Sequence, residues 1–160
     1  MKKIILCYGG FLGILYVLYG FLQVYNGLIS WGLQGDVLQL GIEIYETSIP
    51  NVFPDVFSGV ALTTTGLLFL TSTYHSLKKS EYYRGYIFAA WLLSILLMLL
   101  NIVELFASFI DAYYPFLLGY KPGEWSLATD PWGIAPHLIL GALAAPLYLV
   151  FRDFIRELTF

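Results

Sequence analysis

The feature that most constrains this chain is how far it runs without a charge. From Ile4 to Ile29 no side chain is ionised at neutral pH, and about 20 consecutive apolar residues are enough for a helix to cross a bilayer. The same length rule picks out three more segments, so the expected spans are 4–29, 56–74, 86–110 and 132–151. The third contains the most apolar stretch of the chain, Ile95-Leu96-Leu97-Met98-Leu99-Leu100. Lipid offers no water to an unpaired backbone group, so each span must be a helix; segments this long do not fit the ~10-residue strands of a small barrel. The expected fold is an all-α integral membrane protein, one polytopic domain over residues 1–160 with four transmembrane helices in a bundle.

Composition agrees. Hydrophobic residues make up 59% of the 160 and charged residues 12%, against roughly 45–50% and about 25% in soluble domains. A net charge of -3 argues against a nucleic-acid partner, which requires a basic surface. The lone Cys7 cannot form a disulfide within the chain or a thiolate cluster. Lys2 and Lys3 precede an apolar run that is too long for a signal peptide and lacks a small-x-small cleavage site, so the run reads as a retained anchor.

The flanking charges predict orientation. Lys2 and Lys3 precede the first span, Lys78, Lys79 and Arg84 lie between the second and third, and Arg152 and Arg156 follow the fourth. Lys121 is the only basic residue of the opposite side, which holds Asp36, Glu43, Glu46, Asp55, Asp111, Glu124 and Asp130. By the positive-inside rule both termini are cytoplasmic, in a cell-membrane protein with two sizeable outer loops.

Small residues predict where helices touch, because apolar faces gain nothing by associating in lipid and close backbone approach is what remains. Gly13, Gly20 and Gly27 recur every seven residues in the first span; Gly59, Thr63, Gly66 and Thr73 offer a counterpart in the second. The glycine face and the outer loops are also the expected contacts for a protein partner or a homo-oligomer. Pro146 should kink the fourth helix and free a carbonyl near residue 142.

In the first outer loop, residues 37–49 fit two patterns. Leu38, Leu40, Ile42 and Ile44 alternate as in a strand, whereas Asp36 and Gln39 resemble a helix-capping pair. We favour an amphipathic helix on the membrane surface, since a strand would need a partner and the second loop offers none. That second loop, about 111–131, carries Tyr113, Tyr114, Phe116, Tyr120 and Trp125, followed by Trp132. It reads as an interfacial belt forming a cap, with an aromatic docking surface for a partner subunit or a lipid-like ligand as the alternative.

The few polar residues within the spans cluster toward the outer side. Gln23 and Asn26 lie near the outer end of the first span, Thr64 in the second, Asn101 and Glu104 in the third, and His137 in the fourth. Asn101, Glu104, Ser108 and Asp111 follow spacings of three, four and three and share one helical stripe. The expected ligand-binding set is Glu104, Asn101, His137, Asp111, Thr64, Asn26 and Gln23, around a crevice that opens outward. The plainer alternative is that these groups satisfy one another and the helix backbones.

His75 and His137 stand at opposite depths and cannot share a haem. No metal motif and no cofactor site is evident. Ser108, His137 and Glu104 supply the residue types of a serine hydrolase without a motif around them. The leading functional expectation is a non-enzymatic subunit or binding protein that holds a partner protein, a lipid or a small amphiphile. A transport protein using Glu104, working as an oligomer, comes second. A membrane enzyme acting on lipid head groups comes third.

Overall fold

The computed structural model describes residues 2–44, 47–121, 123–127, 130 and 132–149. The expected end of the fourth span at 150–151, the basic tail from Arg152 and the proline of the Lys121-Pro122-Gly123 turn fall outside the described residues.

Three helices are long and apolar enough to cross a membrane among the described residues. They are α1 (Lys2–Ser30), α2 (Val56–Leu77) and α3 (Tyr83–Leu117). A shorter helix follows, α4 (Pro136–Ala144), which tightens into a 3-10 turn over Ala145–Leu147. Asp55 caps α2, its carboxylate accepting the backbone N–H groups of Phe57 at 2.9 Å and Ser58 at 3.2 Å. The α2–α3 connection is tight, with Lys79 in the left-handed region at φ 56°. At ~1.5 Å per residue the 35 residues of α3 span about 52 Å, so this helix projects well beyond a ~30 Å hydrocarbon core.

The fourth helix begins at Pro136 rather than at the expected residue 132. Trp132 and Gly133 donate their backbone N–H groups to the Asp130 carboxylate, and Gly133 sits at φ 51°. Those residues are therefore committed to a turn, and Pro136 starts the helix where its missing N–H costs nothing. Pro146 does coincide with the departure from α geometry. The nearby Leu143 carbonyl accepts the Tyr8 hydroxyl of α1 at 2.5 Å, so a neighbouring helix satisfies part of the disturbed ladder.

The expected surface helix at 37–49 is corrected to a hairpin. β1 (Ile42–Ile44) pairs antiparallel with β2 (Thr47–Ile49), Ile42 opposite Ile49. The strand's partner is the next segment of the same loop. Gln39 does not cap anything; its amide exchanges two hydrogen bonds with the backbone of Val52, at 2.9 and 3.2 Å. Asn26 binds Leu38 in the same two-way manner at 2.8 Å and donates to the Val52 carbonyl at 2.9 Å. Two side-chain amides thus take the backbone groups that a helical turn would have used.

The α1–α2 seam fixes the rest. A Cβ at Gly20 would lie 2.6 Å from the Thr63 backbone nitrogen and 2.8 Å from the Gly59 carbonyl oxygen. One at Gly59 would meet the Val24 nitrogen at 2.6 Å. The two backbones are in contact, as the repeat of small residues predicts. The expectation that the Gly13/Gly20/Gly27 face receives a second copy is corrected, because α2 covers it. Away from the hairpin the bundle is filled by Leu12, Phe69, Ile87, Ala90, Ala144 and Leu147, all buried. Gly141 brings α4 onto α3, where a Cβ would meet the Ser94 carbonyl at 2.8 Å.

Gly20→Ala should destabilise the protein by about 1–3 kcal/mol through overpacking against backbone that cannot yield. Gly85→Ala, with nothing within 4 Å of its added carbon, should gain roughly 0.5–1 kcal/mol of helix propensity. Thermal unfolding of both variants in one detergent checks the contrast.

Candidate ligand site at the hairpin end

Three helices carry buried polar side chains to one height. The Tyr16 hydroxyl of α1 lies beside Ser94 of α3, and these helices run parallel in an up-down bundle. One heptad further along each comes Gln23 and Asn101. Gly141 of α4 packs on Ser94 and Met98, so His137, one turn nearer the hairpin, stands level with Asn101.

Gln23 and Asn101 are 0% exposed and His137 3%. Both amide atoms of Gln23, Oδ1 of Asn101 and Nδ1 of His137 make no hydrogen bond. A buried polar group left unmet costs about 1–3 kcal/mol, so several at one level call for something that satisfies them. Asn101 does reach one partner: its Nδ2 donates to Oε2 of Glu104 at 3.5 Å, at the limit of a hydrogen bond. Phe53 meets the His137 ring edge-on at 6.0 Å. The Asp55 carboxylate is within electrostatic reach of both Glu104 and His137, which makes this end of the bundle electronegative.

Burial falls steadily along the α3 stripe, from buried Asn101 through half-buried Glu104 and Ser108 to exposed Asp111. The stripe therefore leads from the bundle interior to its surface. Not every expected residue joins the buried polar level. Asn26 is buried, but its amide is spent on the hairpin loop. Thr64 is exposed and donates to the Val60 carbonyl of its own helix at 2.8 Å. Asp111 is exposed at the outer end of the stripe. Among the described residues no three His, Cys, Asp or Glu side chains come together to hold a metal ion.

Sequence reasoning missed the residue that holds the second loop against α3. Asp130, 4% exposed, accepts hydrogen bonds from the Ser108 hydroxyl, from Trp125 Nε1 at 2.6 Å, and from the backbone N–H groups of Trp132 at 2.9 Å and Gly133 at 3.3 Å. Burial alone would raise the pKa of Asp130, but these four donors outweigh it and hold the carboxyl below its ordinary range. Asp130 therefore ties the second loop to α3. Gly123 donates to the Ala112 carbonyl at 2.9 Å, and Trp125 packs edge-on against Phe109 at 5.3 Å. The Asn51 N–H donates to the Ile134 carbonyl at 2.8 Å and joins the two loops. In the sequence Asp130 reads only as a topological charge, because its partner Ser108 lies 22 residues away.

No curated protein and no solved structure matches the chain. A family model does: that of the MJ0565 integral membrane domain, over residues 1–153. The chain belongs to that family, and it is a multi-pass protein of the lipid bilayer.

Because the folded pKa of Asp130 is depressed, its contribution to stability is fully present above the ordinary aspartate value of about 3.9 and is lost as pH falls through the lower folded value. Asp130→Ala should cost at least about 1.5–3 kcal/mol, the value of a hydrogen bond to a charged group. Amide exchange at Trp132 and Gly133 should accelerate in the variant at pH 7 and in the wild type only in strong acid. Unchanged exchange in Asp130→Ala would remove the carboxylate from this role.

Proposed function

Given that membership, we propose that the chain crosses the membrane four times with both termini cytoplasmic, and that its outward-opening crevice binds the polar head of a small amphiphilic ligand. The observation that carries the reading is the level of orphaned polar atoms on Gln23, Asn101 and His137, each from a different helix. A head group with hydrogen-bond donors would satisfy the acceptors among them, and the carboxylates of Glu104 and Asp55 would favour a positive charge on it. Glu104, half-buried beside Asn101, would be its anchor.

The other half of the bundle supports binding over transport. Leu12, Phe69, Ile87, Ala144 and Leu147 pack there as one apolar cluster, which would stop a polar solute within one chain. Transport past Glu104 would need a path along an interface between copies. The hydrolase reading is weakened by Ser108, whose hydroxyl proton is taken by Asp130 rather than by His137. Orientation rests on the distribution of basic residues, with α3 long enough to carry Asp111 and the aromatic loop out of the membrane on the acidic side.

Protein purified gently and analysed by native mass spectrometry should carry a small bound amphiphile. Glu104→Gln should lose it at least tenfold, while the exposed Glu124→Gln retains it; equal retention in both would sink the assignment to Glu104. In a Cys7→Ser background, Ser80→Cys should react with an impermeant maleimide only from the cytoplasmic side and Asp36→Cys only from the outside. The reverse pattern would overturn the orientation.

A further inference from the structure

α1 has a recess along the flank that borders α2, where Leu70 of α2 adds to its wall. A cavity of about 800 Å³ runs along Ile14, Leu18, Phe21 and Leu22, and Leu38 and Leu40 of the first loop close over one end. We propose that this groove holds a hydrocarbon chain of one lipid from the leaflet on the hairpin side.

Several observations support a site rather than ordinary lipid-facing surface. The first is length. From Tyr25 to Ile14, which bound the groove along α1, the helix rises ~16 Å, and half of a ~30 Å hydrocarbon core is about 15 Å. The groove is therefore as long as one leaflet is deep. Its volume falls within the roughly 300–1,000 Å³ of small-molecule sites.

The second is the roof. The Tyr19 hydroxyl donates to the Leu40 carbonyl at 3.0 Å, Asn26 holds both backbone groups of Leu38, and Gln39 is clamped to Val52. These bonds hold the loop against α1 and α2, with Leu38 and Leu40 lining the groove. The concavity is built before any lipid arrives, so a chain entering it loses less than one that must order the loop itself.

The third is continuity. Ile14, Leu18 and Phe21 are among the exposed apolar residues of α1, and the chain is an integral membrane domain, so the groove opens directly into the bilayer. Nothing in the lining is charged, which fits a chain and not a head group. This site is separate from the crevice between the helices, and its test does not depend on that reading.

The test uses the full chain in nanodiscs of palmitoyl-oleoyl phosphatidylcholine, transferred to mild detergent, washed, and examined by native mass spectrometry. The expected result is one phosphatidylcholine retained per chain. Leu18→Trp, which places an indole in the groove, should reduce retention at least fivefold. Leu92→Trp, on the exposed face of α3, should leave it unchanged. Should Leu18→Trp not fold, Leu40→Asn alters the roof from outside the membrane span and should likewise lower retention. Wild-type protein that washes free of lipid would overturn the proposal, as would equal retention in the groove variant and the Leu92→Trp control.

Discussion

Direct backbone contact between α1 and α2 is the interaction on which the rest of this structure depends. In lipid there is no hydrophobic gain in bringing two apolar helices together, so association rests on packing at short range. Gly13, Gly20 and Gly27 against Gly66, Thr63, Gly59 and Val56 provide it. Once the seam is closed, the rotation of α1 is set. Tyr16 and Gln23 must then point into the bundle, Asn26 must lie under the first loop, and Leu18 and Phe21 must face outward along the groove.

The second organising fact is the unequal treatment of polar groups at the two ends. Toward the loops, nearly every buried polar side chain is employed in holding backbone. Asn26 and Gln39 hold the first loop, Asp130 holds the second, and Asn51 and Ile134 join the two. One level deeper the pattern breaks: Gln23, Asn101 and His137 bring polar atoms that meet nothing. Below them the core is mainly apolar, with the Tyr16 hydroxyl and Ser94 as its buried polar groups nearest this level. A polar occupant entering from the loop side, as proposed above, would resolve this contrast between satisfied loops and an unmet central level.

The three long helices were legible because length and apolarity in lipid leave a single solution, and the glycine repeat also announced its partner. The Asn101, Glu104, Ser108 and Asp111 stripe was legible by spacing alone, and its burial gradient follows that phasing. Consecutive threonines were not: Thr63, Thr64 and Thr65 point three ways, and only the seam shows that Thr65 is buried while Thr64 faces out. The hairpin was hidden because Asp36 and Gln39 imitate a capping pair, whereas the distant Val52 decides what Gln39 binds. The start of α4 was hidden for the same reason, since hydropathy continues through Trp132 while hydrogen bonds to Asp130 commit that residue to a turn. In each case a long-range contact to a side-chain amide or carboxylate overrode a local pattern.

The central claim is that the bundle is wet at the level of Gln23, Asn101 and His137 and dry below it. Radiolytic hydroxyl-radical footprinting of reconstituted protein tests this directly, because radicals formed from internal water mark the side chains beside it. The account predicts modification of His137 well above that of Phe69 and Leu147. His137 protected as fully as Phe69, or Phe69 marked as strongly as His137, would contradict it.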